Sequence, residues 1–356
     1  MRVALIGPPQ SGKSTLFAAV AEAGGSHVDI SRPDQPHLAV VKVPDERVHW
    51  LARLYNPKKV TLAELELLDL PGFDLSDEQG RSRAKAHWAA MRQSDMLAMV
   101  VRSFESQTVF AYRKRIDPAS DVDELLSEML FADLDQVTNR IQKLNASLKK
   151  PTPKRDEYAR ELELMQRLNA TLETSKPISQ AIRSDSEAKM VRSFAFLSQK
   201  PALMVDNCSE DALGKPPTAP PGGMEHMRLS AKIEEELARL EPSERAEFLA
   251  DMGLDASAGQ RLVRACYKAM NLASFLTTGE DECRAWTIQA GADAVTAAGA
   301  IHTDIARGFI RAETVSFADL QTAGDMKAAK AAGKVRLEGK NYLVKDGDVI
   351  NFRFNV

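Results

Sequence analysis

Largely apolar runs at 3–6, 38–43, 65–68 and 96–101 punctuate the first hundred residues, and the stretches between them carry apolar positions at helical spacing. Near-continuous apolar strands alternating with helices predict an α/β fold around a mostly parallel sheet covered on both faces. Past Asp117-Pro118 the texture changes. Leu130, Leu134, Val137, Ile141, Leu144 and Leu148 recur at spacings of 4, 3, 4, 3 and 4, the seam of a helix packed against a partner. Lys149-Lys150-Pro151-Thr152-Pro153 ends it, because proline cannot continue a helix interior. A second run then carries Tyr158, Leu162, Met165, Leu168 and Leu172, so an antiparallel helical hairpin is expected. The sheet resumes with a strand at 202–205. A proline-rich loop at 214–223 and helices from 232 to about 273 follow. The remainder reads as a small α+β domain, with short strands, turns at Gly339-Lys340-Asn341 and Lys345-Asp346-Gly347, and one helical segment near 292–298.

The first strand runs into Gly7-Pro8-Pro9-Gln10-Ser11-Gly12-Lys13-Ser14-Thr15, which satisfies G-x-x-x-x-G-K-S, and a helix is expected from residue 14 to 23. That strand–loop–helix context is what a phosphate-binding loop needs. Glycines allow close wrapping, so that backbone N–H groups and a helix N-terminus converge on a triphosphate. In this reading Gln10, Ser11, Gly12, Lys13, Ser14 and Thr15 form the cradle. Lys13 reaches the β- and γ-phosphates, and the Ser14 hydroxyl ligates Mg²⁺.

Composition narrows the class. A chain of 356 residues exceeds one ordinary core, so two or three domains are expected. A formal charge of −3 gives no global case for nucleic-acid binding, leaves only local patches for RNA, and supports no sequence-specific DNA contact. One such patch is the hairpin tip, with Lys143, Lys149, Lys150, Lys154 and Arg155; it reads either as a solvated helix end or as a contact for RNA phosphates. Cys208, Cys266 and Cys283 lack metal-ligand spacing and suit a reducing compartment. No apolar run nears the roughly 18 residues of a membrane span, and no export segment is legible. A cytoplasmic protein without membrane contact is the expectation.

Three further motifs follow in order. Leu65-Glu66-Leu67-Leu68-Asp69-Leu70-Pro71-Gly72 places Asp69 at a strand end, where P-loop hydrolases hold Mg²⁺, and Gly72 where a backbone N–H meets the γ-phosphate. Asn207-Cys208-Ser209-Glu210 follows the strand at 202–205, where GTPases carry N-K-x-D. Glu210 is one methylene longer than the aspartate that reads guanine, and Cys208 replaces the lysine. Guanine recognition is thereby compromised, while an adenine amino group remains a donor for Glu210. Ser230-Ala231-Lys232 supplies an S-A-K loop whose backbone packs on the base.

This order of P-loop, D-x-x-G, N-x-x-E and S-A-K, with a helical hairpin between the D-x-x-G and N-x-x-E segments, resembles the YchF / Obg-like ATPases. The resemblance covers essentially the whole chain. It is strongest in Arg284-Ala285-Trp286-Thr287-Ile288, Ala298-Gly299-Ala300-Ile301-His302-Thr303-Asp304 and Arg307-Gly308-Phe309-Ile310-Arg311-Ala312-Glu313, and in the ending from Asp346 to Val356. Val43-Pro44-Asp45-Glu46-Arg47, Asn56-Pro57-Lys58-Lys59-Val60, Val100-Val101-Arg102-Ser103-Phe104-Glu105 and Phe131-Ala132-Asp133-Leu134 also match. The resemblance implies a TRAFAC-type G domain in two parts (1–119 and 197–274), a coiled-coil insertion (120–196) and a β-grasp TGS domain (275–356). It also implies ATP favoured over GTP and association with ribosomes.

Departures cluster where hydrolysis is made. Gln10-Ser11 replace Asn-Val, Pro33 stands nearest the switch threonine, and the segment Asp74-Leu75-Ser76-Asp77-Glu78-Gln79-Gly80 is short and polar. Phe73 fits the apolar residue that relatives carry in place of a water-orienting glutamine, but Ala111 occupies the position of their substitute histidine. His302 reads as a half-buried structural residue. The chain is therefore expected to be a slow ATPase or GTPase that switches on a ribosome or RNA. The alternative is a nucleotide-dependent binding module that does not hydrolyse. A small-molecule kinase would need an arginine-rich lid and an acceptor pocket, and neither is legible.

Overall fold

The apolar runs of the first half become a six-stranded sheet. The structure, a computed structural model, describes residues 1–217 and 219–355, so Thr218 of the proline-rich loop and the terminal Val356 lie outside it. The strands are β1 (Arg2–Ile6), β2 (His37–Lys42), β3 (Lys59–Thr61), β4 (Glu64–Asp69), β5 (Met96–Arg102), β6 (Ala202–Asn207), β7 (Glu225–Leu229), β8 (Leu272–Thr277), β9 (Glu282–Gln289), β10 (Phe309–Ser316), β11 (Arg336–Glu338) and β12 (Asp348–Phe354). The first sheet runs β2-β4-β1-β5-β6-β7, with parallel pairing of β1 to β5, β5 to β6 and β6 to β7. All seven residues of β5 are buried, as a central strand covered by helices requires. The chain divides into two compact units, 1–39 with 67–258, and 40–66 with 259–356.

In the first unit the helix Pro118–Leu148 serves two cores. Its first turns place Val122, Leu125, Met129 and Ala132 against Leu97, Met99 and Met204 of the sheet. Farther along, Val137 and Leu144 pack with Leu164, Met165, Leu168 and Leu172 of the helix Arg155–Glu173, forming the hairpin. The Asp117 side chain caps the start by accepting from the Ser120 N–H at 3.1 Å, and Pro118 follows it in the first turn. Asp133, fully buried at the junction, accepts from the Leu197 N–H (3.0 Å), the Ser198 N–H (2.8 Å) and Arg92 (2.9 Å). The basic residues of the tip are exposed.

In the second unit the sheet runs β11-β10-β12-β8-β9-β3. The β8–β9 hairpin is antiparallel, β12 lies parallel to β8, and β10 is antiparallel to β12 and β11, a β-grasp arrangement closed by the helix Ala294–Ile301. Phe275 and Phe352 meet edge to face at 5.9 Å within its core. Within residues 40–66, expected in the first domain, the helix Glu46–Tyr55 and β3 belong to this unit, while the ends of the stretch lie in β2 and β4 of the first sheet. β3 pairs with β9, and Arg47 bridges Asp45 (2.7 Å) and Asp346 (2.6 Å). The residues expected as helix up to about 273 end with the helix Ala258–Ala269, and β8, from Leu272 to Thr277, runs across the boundary placed at 274. His302 is mostly exposed rather than half-buried. It starts the helix Thr303–Arg307, its Nδ1 accepting from the Asp304 N–H at 3.2 Å. Among the described residues no helix is long and apolar enough to cross a membrane.

Asp121, near the start of the long helix, is 4% exposed, and its Oδ1 has no hydrogen-bond partner. Burial pushes its carboxyl up to about 6, opposed by Arg115 3.4 Å away. A raised acid favours the protonated fold, so this group's contribution falls as pH rises from the ordinary carboxylate range to about 6. Asp121→Asn is expected to stabilise the protein at pH 7 by on the order of 1–2 kcal/mol, with the gain vanishing towards pH 4. Thermal midpoints of both proteins across that range measure it.

Candidate nucleotide-binding site

Every motif of the first unit emerges at the carboxyl end of a strand in the first sheet, the edge where open α/β sheets bind ligands. The loop after β1 reaches the helix Lys13–Ala23 through Gln10 and Gly12, at φ +62° and +83°. Gly12 must be glycine twice over. Its φ lies in the left-handed region, and an added Cβ would sit 2.2 Å from Asn207 Nδ2. No acidic side chain occupies the first helical turn, so its N–H groups are left for an anion.

Pro9, Gln10, Ser11, Lys13, Ser14 and Thr15 line one cleft together with Pro33 and Gly72. Gly72 approaches the loop closely, since an added Cβ would lie 3.0 Å from Pro9 Cα. Lys13 is 5% exposed, and its ammonium donates to Asp69 Oδ1 and to the Leu70 carbonyl. Burial pulls the Lys13 pKa below its ordinary value, and the Asp69 carboxylate opposes that pull. Asp69, 2% exposed, lies behind the cleft wall beside His37, whose buried Nδ1 is 3.9 Å from Asp69 Oδ2 and lacks a hydrogen-bond partner. Ser11 Oγ is also buried and without a partner. An orphaned hydroxyl, a loop closed to side chains at Gly12, and oxygen donors at Ser14 and Asp69 fit a triphosphate with a hard divalent cation.

A second cleft continues from Gly12 and Thr15 to Asn207, Glu210, Ser230, Ala231 and Lys232. Asn207 joins the two. Its Nδ2 donates to the Ser11 carbonyl at 2.8 Å, its Oδ1 accepts from the Ala231 N–H at 2.9 Å, and its own carbonyl accepts from the Ser103 N–H at 2.8 Å. The polar strand end singled out in the sequence is thus a junction of four loops. Glu210 is exposed in the turn Glu210–Ala212. Arg228 steadies the chain beyond that turn by binding buried Asp206 (2.6 Å) and the Lys215 and Pro216 carbonyls. Ser230 caps the helix Ala231–Ala238. Lys232 lines the cleft with its side chain 83% exposed. Cys208 is buried, which pushes its thiol up and leaves it inert. Phe73, the apolar residue at the position of a water-orienting glutamine, packs in the core with Leu75 and Met91.

Sequence reasoning missed the role of the residues after β5. Phe104 lines both clefts, Ser106 and Thr108 line the second, and Val109 the first. The legible signal is Arg102, a charge closing a continuous apolar strand two residues before an aromatic. Among the described residues there is no group of three or more His, Cys, Asp or Glu side chains that could hold a metal ion.

A family profile described as 50S ribosome-binding GTPase matches residues 2–136, and the YchF-GTPase_C profile, described as a protein of unknown function (DUF933), matches residues 272–355. The chain is 37% identical to the Ribosome-binding ATPase YchF of Bacillus subtilis over 99% of its own length and 98% of that protein's. Against the Escherichia coli O157:H7 protein of the same name identity is 34%, with the same coverage. Obg-like ATPase 1 of Oryza sativa is 34% identical, covering all of this chain and 92% of the rice protein. The solved structure of the Schizosaccharomyces pombe YchF GTPase superposes with a TM-score of 0.83 at 26% identity, over 99% of this chain and 97% of that one.

Asn207→Asp keeps the shape but replaces the donor to the Ser11 carbonyl with a carboxylate oxygen. It is expected to cost about 2–3 kcal/mol in stability, because buried polar groups lose their partners. Nucleotide affinity should fall at least about tenfold, equivalent to about 1.4 kcal/mol. Chemical denaturation and titration calorimetry test the two effects separately. Stability equal to the parent would show that the junction is not held by this side chain.

Proposed function

Because the chain belongs to the YchF family, we propose that it is a slow P-loop ATPase of the cytoplasm whose nucleotide state governs binding to the ribosome. The observation that carries this reading is the Lys13–Asp69 pair buried at the phosphate loop. A cationic side chain is held, partly desolvated, where a triphosphate oxygen can replace a carboxylate as its partner. The loop N–H groups and the Ser11 hydroxyl bind the phosphates, and Gly72 offers its N–H to the γ-phosphate. Ser14 and Asp69 are the residues that would hold Mg²⁺, which would supply charge neutralisation to the phosphates. Asn207 keeps the loop and the base pocket in register. Phe104 presents a ring beside Gly12, suited to stacking on a base. Glu210 accepts a hydrogen bond from the adenine 6-amino group, at the position where guanine carries a carbonyl oxygen and offers no donor.

The parts that order an attacking water are sparse. Pro33 lines the phosphate cleft without a hydroxyl, Phe73 is withdrawn into the core, and Ala111 offers no polar group. Those observations favour slow turnover, and in the limit a binding module that does not hydrolyse. The relatives named for ribosome binding, the exposed basic hairpin tip and the β-grasp unit, read as a TGS domain, support an RNA-containing partner.

Lys13→Ala is expected to abolish ATP binding by calorimetry, because backbone dipoles alone then face the phosphates. Glu210→Asp should shift preference towards GTP by about 1–2 kcal/mol, since the shorter acid approaches the guanine-reading geometry. Single-turnover assays with ATP and GTP, with and without ribosomes, test the reaction. Isolated protein should turn over ATP on the order of 10⁻⁴ s⁻¹, the scale of unassisted small GTPases. Ribosome-stimulated hydrolysis supports the switch, no turnover in either condition leaves the binding module, and a clear GTP preference overturns the base assignment.

A further inference from the structure

The chain between β5 and the helix Pro118–Leu148 grips both the cleft and the segment after Gly72. Arg102 is 5% exposed and donates to the carbonyls of Phe104 (2.9 Å), Val109 (3.1 Å) and Phe110 (3.2 Å), with its guanidinium 4.4 Å above the Phe104 ring. One side chain thereby closes residues 103–110 into the loop that lines both clefts. Just beyond it, two more side chains take hold of Leu75. The Leu75 N–H donates to Tyr112 Oη at 2.9 Å, and Arg113 Nη2 donates to the Leu75 carbonyl at 2.9 Å. Both backbone polar groups of a buried residue are satisfied by this pair, and Arg113 is itself anchored to Glu124. The grip places Arg113 and Lys114 at φ +52° and +56°, a region that non-glycine residues occupy at a cost and keep only where the surroundings enforce it. At its other end the segment is tied to the phosphate loop, the Phe73 N–H donating to the Gly7 carbonyl at 2.9 Å.

We propose that Tyr112 and Arg113 are positioning residues that preset the Gly72 segment for the γ-phosphate, so that this protein separates triphosphate from diphosphate with a segment already ordered. The inference rests on the nucleotide reading above and goes beyond it by assigning the discrimination to two side chains outside the recognised motifs. Switch segments in other GTPases become ordered through the γ-phosphate itself. Here side-chain hydrogen bonds supply that order in advance, and a preorganised contact avoids the entropy of ordering on binding. Only the third phosphate reaches Gly72, so loosening the clasp weakens triphosphate binding and leaves diphosphate binding alone.

The test compares full-length Tyr112→Phe and Arg113→Gly with the parent, using ADP and a non-hydrolysable ATP analogue in calorimetry, thermal unfolding, and amide exchange at Leu75. Tyr112→Phe removes one hydroxyl, whereas Arg113→Gly removes the grip and also relieves the left-handed backbone. Each variant is expected to bind the analogue about fivefold to tenfold more weakly, the scale of one hydrogen bond. ADP affinity should stay within about twofold, a difference well under 1 kcal/mol. Leu75 exchange should accelerate in both, and the midpoint of Arg113→Gly should not fall. Equal weakening of both nucleotides in step with a lowered midpoint would make the clasp merely structural and overturn the proposal. An unchanged analogue-to-ADP ratio, or tighter analogue binding, overturns it as well. Failure of the parent to bind either nucleotide instead removes the underlying reading, so the two failures are distinguishable.

Discussion

The carboxamide of Asn207 holds the site together. It is a side chain with one donor and one acceptor end, both used at good geometry, and it is 3% exposed. The donor end takes a carbonyl of the phosphate loop and the acceptor end an N–H of the S-A-K loop, while its backbone carbonyl binds the loop after β5. Loops that emerge from four different strands therefore share one fixed point. Gly12 is the counterpart of that arrangement, because any side chain there would occupy the space of the Asn207 amide. A phosphate cradle and a base pocket can be specified separately in sequence. In the proposed reading a nucleotide needs them at one separation, and the loops that would supply them are tied together by Asn207.

Charge supplies the second constraint. Burying Lys13 is tolerable because Asp69 and the Leu70 carbonyl satisfy it, and an unpaired ammonium at that depth would be strongly destabilising. In the proposed reading the same pair places a cation and a carboxylate where phosphates and a divalent cation would arrive. Around that pair, Pro33 lines the cleft without a hydroxyl and Phe73 is packed into the core.

The helix Pro118–Leu148 shows how one element can satisfy two cores. Its early apolar residues complete the packing on the sheet and its later ones form the hairpin, with buried Asp133 joining the two regions through backbone N–H groups. The heptad spacing from Leu130 onward made the hairpin legible. It gave no sign of the sheet contact, because a helix face packed on a sheet has the same apolar periodicity as one packed on another helix.

The parallel sheet, the phosphate loop, the helical hairpin and the family were determined by sequence alone, because each rests on local rules. Apolar runs bury, G-x-x-x-x-G-K-S wraps phosphate, and proline breaks helices. Residue 10 to residue 15, Gly72 and the Asn207–Glu210 and Ser230–Lys232 segments were all named from order and spacing. The tertiary structure decided what depends on distance. The helix Glu46–Tyr55 and β3 left the domain that their position suggested, because β3 found a partner edge in β9 and Arg47 found Asp346. Phe104 became part of the site through the closure of a loop by Arg102, and Leu75 was pinned by side chains 37 and 38 positions away. Such contacts join residues whose separation carries no periodic signal, and a buried polar group takes its partner from whatever the fold brings within about 3 Å.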